Sequence, residues 1–139
     1  MKAVLLIFIT SVTLLMAINT SSGGRLTSRQ EAMDVKHYSI DLKVDPFKKL
    51  ISGTVEILFV LFREIDLVEI DLINKYSVSG VEINGMSLAY KHNSNKLFIN
   101  NPRLEPFTEN KMIIKYAGKP PEAKNPPWDG GFTWSQSED

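Results

Sequence analysis

The 139-residue sequence contains no cysteine. Without cysteine a chain has no disulfide, no thiol nucleophile, and no thiolate to hold zinc or an iron–sulfur cluster. Histidine is scarce as well, since only His37 and His92 occur. Neither has a second histidine three or four residues away, so the HExxH pattern of a zinc-binding helix is missing. The sequence therefore lacks the usual groups for thiol or histidine-ligated metal catalysis.

A surplus of charge of either sign is also missing, because 16 basic residues balance 16 acidic ones. A neutral chain whose basic residues are scattered singly lacks the electrostatic footprint of a nucleic-acid-binding protein. We therefore expect no nucleic-acid partner. The carboxylates of Asp41, Glu56, Glu69 and Asp71 fall on strand faces where solvated charge is ordinary, so we predict neither a catalytic nor a metal-ligating residue in this chain.

The N-terminal segment has the pattern of a secretory signal peptide, with Lys2, an apolar run over residues 3–18, and then small polar residues. The run is shorter than the roughly 20 residues that cross a bilayer, which favours cleavage and predicts no stable membrane span unless the signal stays uncleaved. We assign residues 1–24 to the signal peptide and cleavage region, and 25–33 to a linker. The expected location is periplasmic, cell-surface or extracellular.

Alternating apolar residues dominate the rest of the chain. Tyr38, Ile40, Leu42 and Val44 alternate with polar residues, which predicts a strand with one face on a core and the other in water. Residues 54–62 form a nearly unbroken apolar run, which is typical of a strand buried on both faces.

Later segments continue the strand pattern. Val68 and Ile70 predict a third strand whose acidic face, with Glu69 and Asp71, is expected to be wet. Asn84-Gly85 predicts a two-residue hairpin turn. We find no sustained helical period after residue 25 and predict an all-β fold. About seven short strands indicate an antiparallel β-sandwich or an open, saddle-like sheet.

The C-terminal segment differs from the rest, because prolines precede a run of aromatics and glycines over residues 128–134. A stiff backbone with large rings predicts a loop that either closes the end of a sheet or faces a ligand. The second option would mean stacking of the rings against a sugar or a peptide side chain.

Several of these segments, in this order, resemble the N-terminal β domain of the aminopeptidase N family. They occupy residues 34–46, 51–57, 70–72, 81–85 and 115–120. This family comprises zinc metallopeptidases of the gluzincin type. Residues 125–134, with the sequence NPPWDGGFTW, resemble its secreted bacterial branch.

The resemblance implies that residues 34–139 are an N-terminal β domain, truncated at its C-terminal end and so an incomplete domain. In the family a downstream domain carries HExxH, GxMEN and the zinc ion, none of which this sequence can supply. The chain is then a structural and cleft-forming part of an exported zinc-dependent aminopeptidase, and it is expected to be inactive alone. Its partners would be the downstream catalytic domain of the same polypeptide and, in the full-length enzyme, a peptide substrate. The residues implied in the loop leading to the cleft are Pro127, Trp128, Asp129, Gly130, Gly131, Phe132 and Trp134.

An alternative from a different functional class stays open. The chain could be a free-standing secreted β-sandwich binding module that uses Trp128, Phe132 and Trp134 for glycan or protein contact.

Overall fold

The computed structural model describes residues 24–126 and 130–136. The predicted signal peptide, apart from its last residue, lies outside this range. A short 3₁₀ turn at Gln30–Ala32 precedes eight strands. These are β1 (Met33–Asp45), β2 (Leu50–Leu61), β3 (Leu67–Asp71), β4 (Tyr76–Ile83), β5 (Met86–Ser87), β6 (Tyr90–Asn93), β7 (Lys96–Asn100) and β8 (Glu109–Gly118). No helix in the described ranges is long and apolar enough to cross a membrane.

The strands form two antiparallel sheets. The large sheet has the order β1-β2-β8-β4-β5, and the small sheet has the order β3-β7-β6. The predicted all-β class is therefore confirmed, with sheets that do not close into a barrel. The described residues contain one strand more than expected, because β5 ends at Ser87 and Tyr90–Asn93 forms a separate strand. This strand, β6, pairs with β7 in the small sheet.

The hydrophobic core lies between the two sheets. The large sheet supplies one apolar row from each of β2, β4 and β8, and the small sheet supplies residues from β3 and β7. Burial of such rows is the main stabilising term, at about 25 cal/mol per Å² of apolar surface. The core residues are Ile57, Phe59, Leu61, Val68, Val81, Ile83, Leu97, Ile99, Leu104, Met112 and Ile114.

The expectation that the apolar row of β1 faces a core is wrong. Tyr38, Ile40, Leu42 and Val44 are all exposed, and Ile40 reaches 62%. Only Met33, at the start of β1, and its neighbour Val35 pack against the core. The small sheet covers the end of the large sheet where β1 begins and β2 ends, so the remainder of β1 projects beyond it.

The expectation that the second strand is buried on both faces is also wrong. Ile57, Phe59 and Leu61 are buried, whereas Leu58 and Val60 are half-buried and Phe62 is exposed. The small sheet covers one face of the large sheet only, so the opposite row of β2 is left partly in water. The strand also begins at Leu50, earlier than the apolar run suggested.

The acidic face of β3 is not uniformly wet, because Glu69 is only 3% exposed. Its carboxylate lies 2.5 Å from Lys96 Nζ on the neighbouring strand β7. Hydrogen bonding to Glu69 is the main cause that raises the pKa of Lys96. The cation compensates the buried carboxylate, which explains how an acidic residue is tolerated there.

The hairpin predicted at Asn84-Gly85 is confirmed. Both residues have positive φ angles, 52° and 80°, as a two-residue turn of this kind requires. The Asn84 side chain also accepts a hydrogen bond from the backbone N–H of Lys111 at 2.9 Å. The turn between β4 and β5 is thereby tied to β8.

Candidate functional site

The aromatic loop is the segment that follows β8, described at residues 119–126 and 130–136. Its two described parts lie against each other. The backbone N–H of Phe132 donates to the carbonyl of Pro121 at 2.8 Å, and the N–H of Ala123 donates to the carbonyl of Phe132 at 3.0 Å. These bonds surround an isolated parallel bridge between Glu122 and Phe132. The two described ends of the loop are thus held side by side.

Gly131 makes this close approach possible. Its φ is 141°, a conformation that residues with a side chain rarely adopt. A Cβ atom there would lie 2.8 Å from the backbone N of Ala123 and 2.8 Å from the carbonyl oxygen of Pro121. Gly130 has no heavy atom within 4 Å of the corresponding position. Only the second glycine of the pair is therefore required by the packing.

The loop lies against the turn that joins β1 to β2. Lys49 Nζ lies 3.1 Å from the Glu122 carboxylate, which links the turn to the loop. The turn itself is fixed by the backbone N–H of Lys48, which donates to the Asp45 carboxylate at 3.0 Å and lowers the pKa of that carboxyl group. Two locally ordered segments therefore meet at this end of the large sheet.

A cleft of about 550 Å³ opens between the turn and the loop. Phe47 on one side is 99% exposed. On the other side Trp134 is half-buried and stacks on Phe132, with ring centroids 5.5 Å apart and an interplanar angle of 25°. The cleft is lined by Pro46, Phe47, Lys49, Trp134, Ser135 and Gln136. It combines apolar ring faces with a cation, a combination suited to amphipathic ligands.

The indole Nε1–H of Trp134 is buried, and no atom of the described residues accepts its hydrogen bond. Buried indole N–H groups usually have an acceptor. Trp134 therefore has a donor at Nε1 without an acceptor among the described residues, and its ring face stacks on Phe132.

The residues predicted for the cleft-leading loop are placed as follows. Gly130 and Gly131 are exposed, and Phe132 and Trp134 are half-buried beside the cleft. Pro127, Trp128 and Asp129 lie outside the described residues. Sequence reasoning missed Phe47 and Lys49, although an aromatic residue directly after Asp45-Pro46, in an otherwise polar turn, was an available signal.

Among residues 24–126 and 130–136, the side chains do not fit a zinc ion. His37 lies on β1 in the large sheet, whereas His92 lies on β6 in the small sheet, where its Nε2 is 2.9 Å from the carbonyl oxygen of Leu72. The described ranges contain no cluster of three histidine, aspartate or glutamate side chains that could hold a metal. Glu56 is paired with Lys111, and Asp71 with Lys96.

The fold is similar to that of M1 zinc metallopeptidases. The enzyme from Deinococcus radiodurans matches with a TM-score of 0.61 and 26% identity, over 70% of this chain and 23% of that one. The same enzyme bound to a Tyr-Ser-Ala substrate matches with a TM-score of 0.60 and 27% identity, over 70% and 22% of the two chains. No protein-family profile and no curated protein sequence matches this chain.

A more distant likeness supports the same fold. Leukotriene A4 hydrolase from Saccharomyces cerevisiae matches with a TM-score of 0.54 and 22% identity, over 63% of this chain and 15% of that one. At this identity the likeness concerns the fold alone.

The antiparallel topology and the structural likeness together give this chain the fold of a β domain found in M1 zinc metallopeptidases. The resemblance predicted from the sequence is confirmed: the chain has the fold of an M1 zinc metallopeptidase domain, in agreement with an N-terminal position. It spans less than a quarter of the length of these relatives.

Proposed function

We propose that this chain is the N-terminal, structural and cleft-forming part of an exported zinc-dependent aminopeptidase that removes N-terminal amino acids from peptides. The observation that carries the proposal is the likeness to the Deinococcus radiodurans enzyme, at 26% identity over 70% of the chain. That enzyme has been crystallised with a Tyr-Ser-Ala substrate, which supports peptides as the substrate class.

The chain is not catalytic by itself in this proposal. A zinc peptidase activates a water molecule on the metal and needs a base close to it. The donors of the described residues fit neither role. We place metal and base in a downstream catalytic domain of the same polypeptide. The contribution of this chain is then one of shape.

The turn at residues 46–49 and the aromatic loop would supply that shape. Lys49 and Glu122 form an ion pair between the two segments, and the stack of Phe132 on Trp134 stiffens one wall. A peptide that approached this end of the sheet would meet the rings of Phe47 and Trp134 and the Lys49 side chain.

The first experiment is to read the coding DNA past the codon for Asp139. We expect an open frame that continues to an HExxH motif. A stop codon there would contradict the proposal and favour the secreted binding module, for which a glycan-binding screen with Trp134→Ala as the control is the direct assay.

The second experiment tests the loop in the longer enzyme. Trp134→Ala should lower kcat/KM for a chromogenic aminoacyl anilide at least fivefold, with the zinc content measured by atomic absorption unchanged. Phe107→Ala, which removes an exposed aromatic on another loop, is the control. Equal kcat/KM for Trp134→Ala and the control would contradict a role in the cleft.

Export has its own test. N-terminal sequencing of the protein recovered outside the cytoplasm should show a mature chain that begins close to residue 25. Recovery of the intact N-terminus from the cytoplasmic fraction would contradict export.

A further inference from the structure

The outer edge of β1 is open. Within the part of the chain that the structure describes, β1 pairs with β2 alone and stands at the end of the large sheet. The strand is 13 residues long, and residues 36–44 are exposed on both faces. An unpaired row of backbone N–H and C=O groups of this length is a template for another strand.

The side chains of this edge carry only part of the usual protection against pairing. Protected edges are short, or carry lysine, proline, a β-bulge or inward-pointing charge. The register of β1 shifts near its start, between Val35 and His37, and Lys43 is balanced by the nearby Asp41. In β1, by contrast, Ile40, Leu42 and Val44 form an exposed apolar row. Directly opposed apolar and β-branched side chains on adjacent strands stabilise a sheet.

The charges of the edge are arranged symmetrically about Leu42. Asp41 precedes it and Lys43 follows it, and both are exposed. Neither of the two forms an ion pair with any described residue, whereas Asp34 and Asp45 on the same strand are each paired with a lysine. An acidic and a basic residue on either side of Leu42 give the strand a charge pattern that is complementary to the same strand of a second copy running antiparallel to it.

We propose that β1 is a self-association site, at which the edges of two copies of this chain pair antiparallel about a two-fold axis at Leu42. This register places Leu42 opposite Leu42 of the second copy and Ile40 opposite Val44. It also places Asp41 opposite Lys43 twice, once on each side of the axis. The two large sheets become one continuous sheet.

Charge selects this register over its neighbours. Moving the axis by one residue places either Asp41 opposite Asp41 or Lys43 opposite Lys43, and like charges directly opposite each other are destabilising. Pro46, which follows the strand and has no N–H to donate, limits the pairing at that end. The inference does not rest on the proposed peptidase function, so the two can fail separately.

The lack of cysteine allows a direct test on the full chain. In the proposed register Leu42→Cys faces itself at a Cα separation of about 4.5–5.5 Å, within the range that a disulfide spans. Ile40→Cys is the matched control, because its two copies lie four residues out of register, about 13 Å apart along the strand. Both positions are exposed, and Ile40 more so, hence simple collision would favour the control.

Under mild oxidation we expect Leu42→Cys to migrate at twice the monomer mass on a non-reducing gel, with at least fivefold more dimer than Ile40→Cys. Adding Asp41→Lys to Leu42→Cys should reduce the dimer at least fivefold, and adding Lys43→Asp as well should restore it. Equal cross-linking of the two single variants would overturn the proposal, as would failure of the charge exchange to restore the dimer. If a later strand of the same polypeptide or another protein occupies this edge, Leu42→Cys stays monomeric, which also overturns it.

Discussion

Lys96 and Glu69 form the most buried ion pair of the described structure, with 2.5 Å between Nζ and the carboxylate oxygen. Lys96 is directly opposite Asp71 in the register of β7 and β3, and it reaches diagonally to Glu69. Its Nζ also lies 3.2 Å from Asp71. One cation thus serves a buried and an exposed carboxylate on the same strand.

Removing the cation should therefore destabilise the fold. In Lys96→Met the Glu69 carboxylate stays buried without its partner, and we expect a loss of about 2 kcal/mol in the free energy of unfolding. The loss is smaller than for a fully buried pair because the Lys96 side chain is 28% exposed. Urea unfolding followed by far-UV circular dichroism measures it.

The control for this change is Lys111→Met, which breaks the exposed pair with Glu56. Exposed pairs contribute about 1 kcal/mol or less. The double change Lys96→Met with Glu69→Gln should recover part of the lost stability, because no buried charge is then left alone. Equal stability of Lys96→Met and Lys111→Met would show that Glu69 does not depend on Lys96.

The behaviour of Glu69 and β1 shows what the sequence could and could not predict. Period-two alternation correctly indicated strands, and Asn84-Gly85 correctly indicated a hairpin, because both depend on neighbouring residues. Pairings between segments that are distant in the chain decide which strand face becomes covered. One example is β8, which pairs with both β2 and β4. The alternation of Ile40 and Leu42 therefore could not reveal that the small sheet stops short of them.

The candidate site also combines features that the sequence could predict with features that it could not. Gly131 and the aromatic run were visible as a local pattern in the sequence. Lys49, however, lies 73 positions before its partner Glu122. No local pattern connects the two, so the contact between the turn at residues 46–49 and the aromatic loop became visible only in the structure.

Gly131→Ala should open the aromatic loop. The new Cβ would meet the backbone of Pro121 and Ala123, and the positive φ would be strained by about 1–3 kcal/mol. Trp128→Phe provides the background, because it leaves Trp134 as the only tryptophan. We expect a red shift of the Trp134 emission and stronger quenching by iodide.

Gly130→Ala in the same background is the matched control, since its Cβ would meet nothing within 4 Å. It should leave the emission unchanged. A red shift of the same size in both variants would mean that the close approach at Gly131 does not hold the loop closed.

Asp66 should make stability depend on pH in the acid range. Arg29 donates two hydrogen bonds of 2.8 Å to its carboxylate, and this bonding is the main cause that lowers the pKa of Asp66 from its ordinary value of 3.8 to about 2. A folded-state pKa below the unfolded one means that the unfolded chain binds the proton more readily. The contribution is therefore complete above pH 3.8 and is lost as the pH falls towards 2.

The measurement compares unfolding of the natural chain and of Asp66→Asn between pH 2 and pH 6. The difference in their stability should be largest at pH 6 and shrink towards pH 2, and salt should reduce it because the pair is exposed. A difference that stays constant with pH would contradict the lowered pKa of Asp66.

Tyr90 joins the two sheets by a single hydrogen bond. Its hydroxyl on β6 donates to the carbonyl of Val78 on β4 at 2.8 Å, at the point where the register between β4 and β8 shifts between Val78 and Gly80. This shift interrupts the regular hydrogen-bond ladder between β4 and β8, and the part-buried carbonyl of Val78 accepts a hydrogen bond from the tyrosine instead.

Tyr90→Phe should therefore lower the free energy of unfolding by about 1 kcal/mol, since it keeps the ring and removes only the donor. Tyr38→Phe, at an exposed position on β1, is the control and should leave the urea midpoint unchanged. A Tyr90→Phe midpoint equal to that of the control would show that water replaces the tyrosine as donor and that core packing alone holds the sheets together.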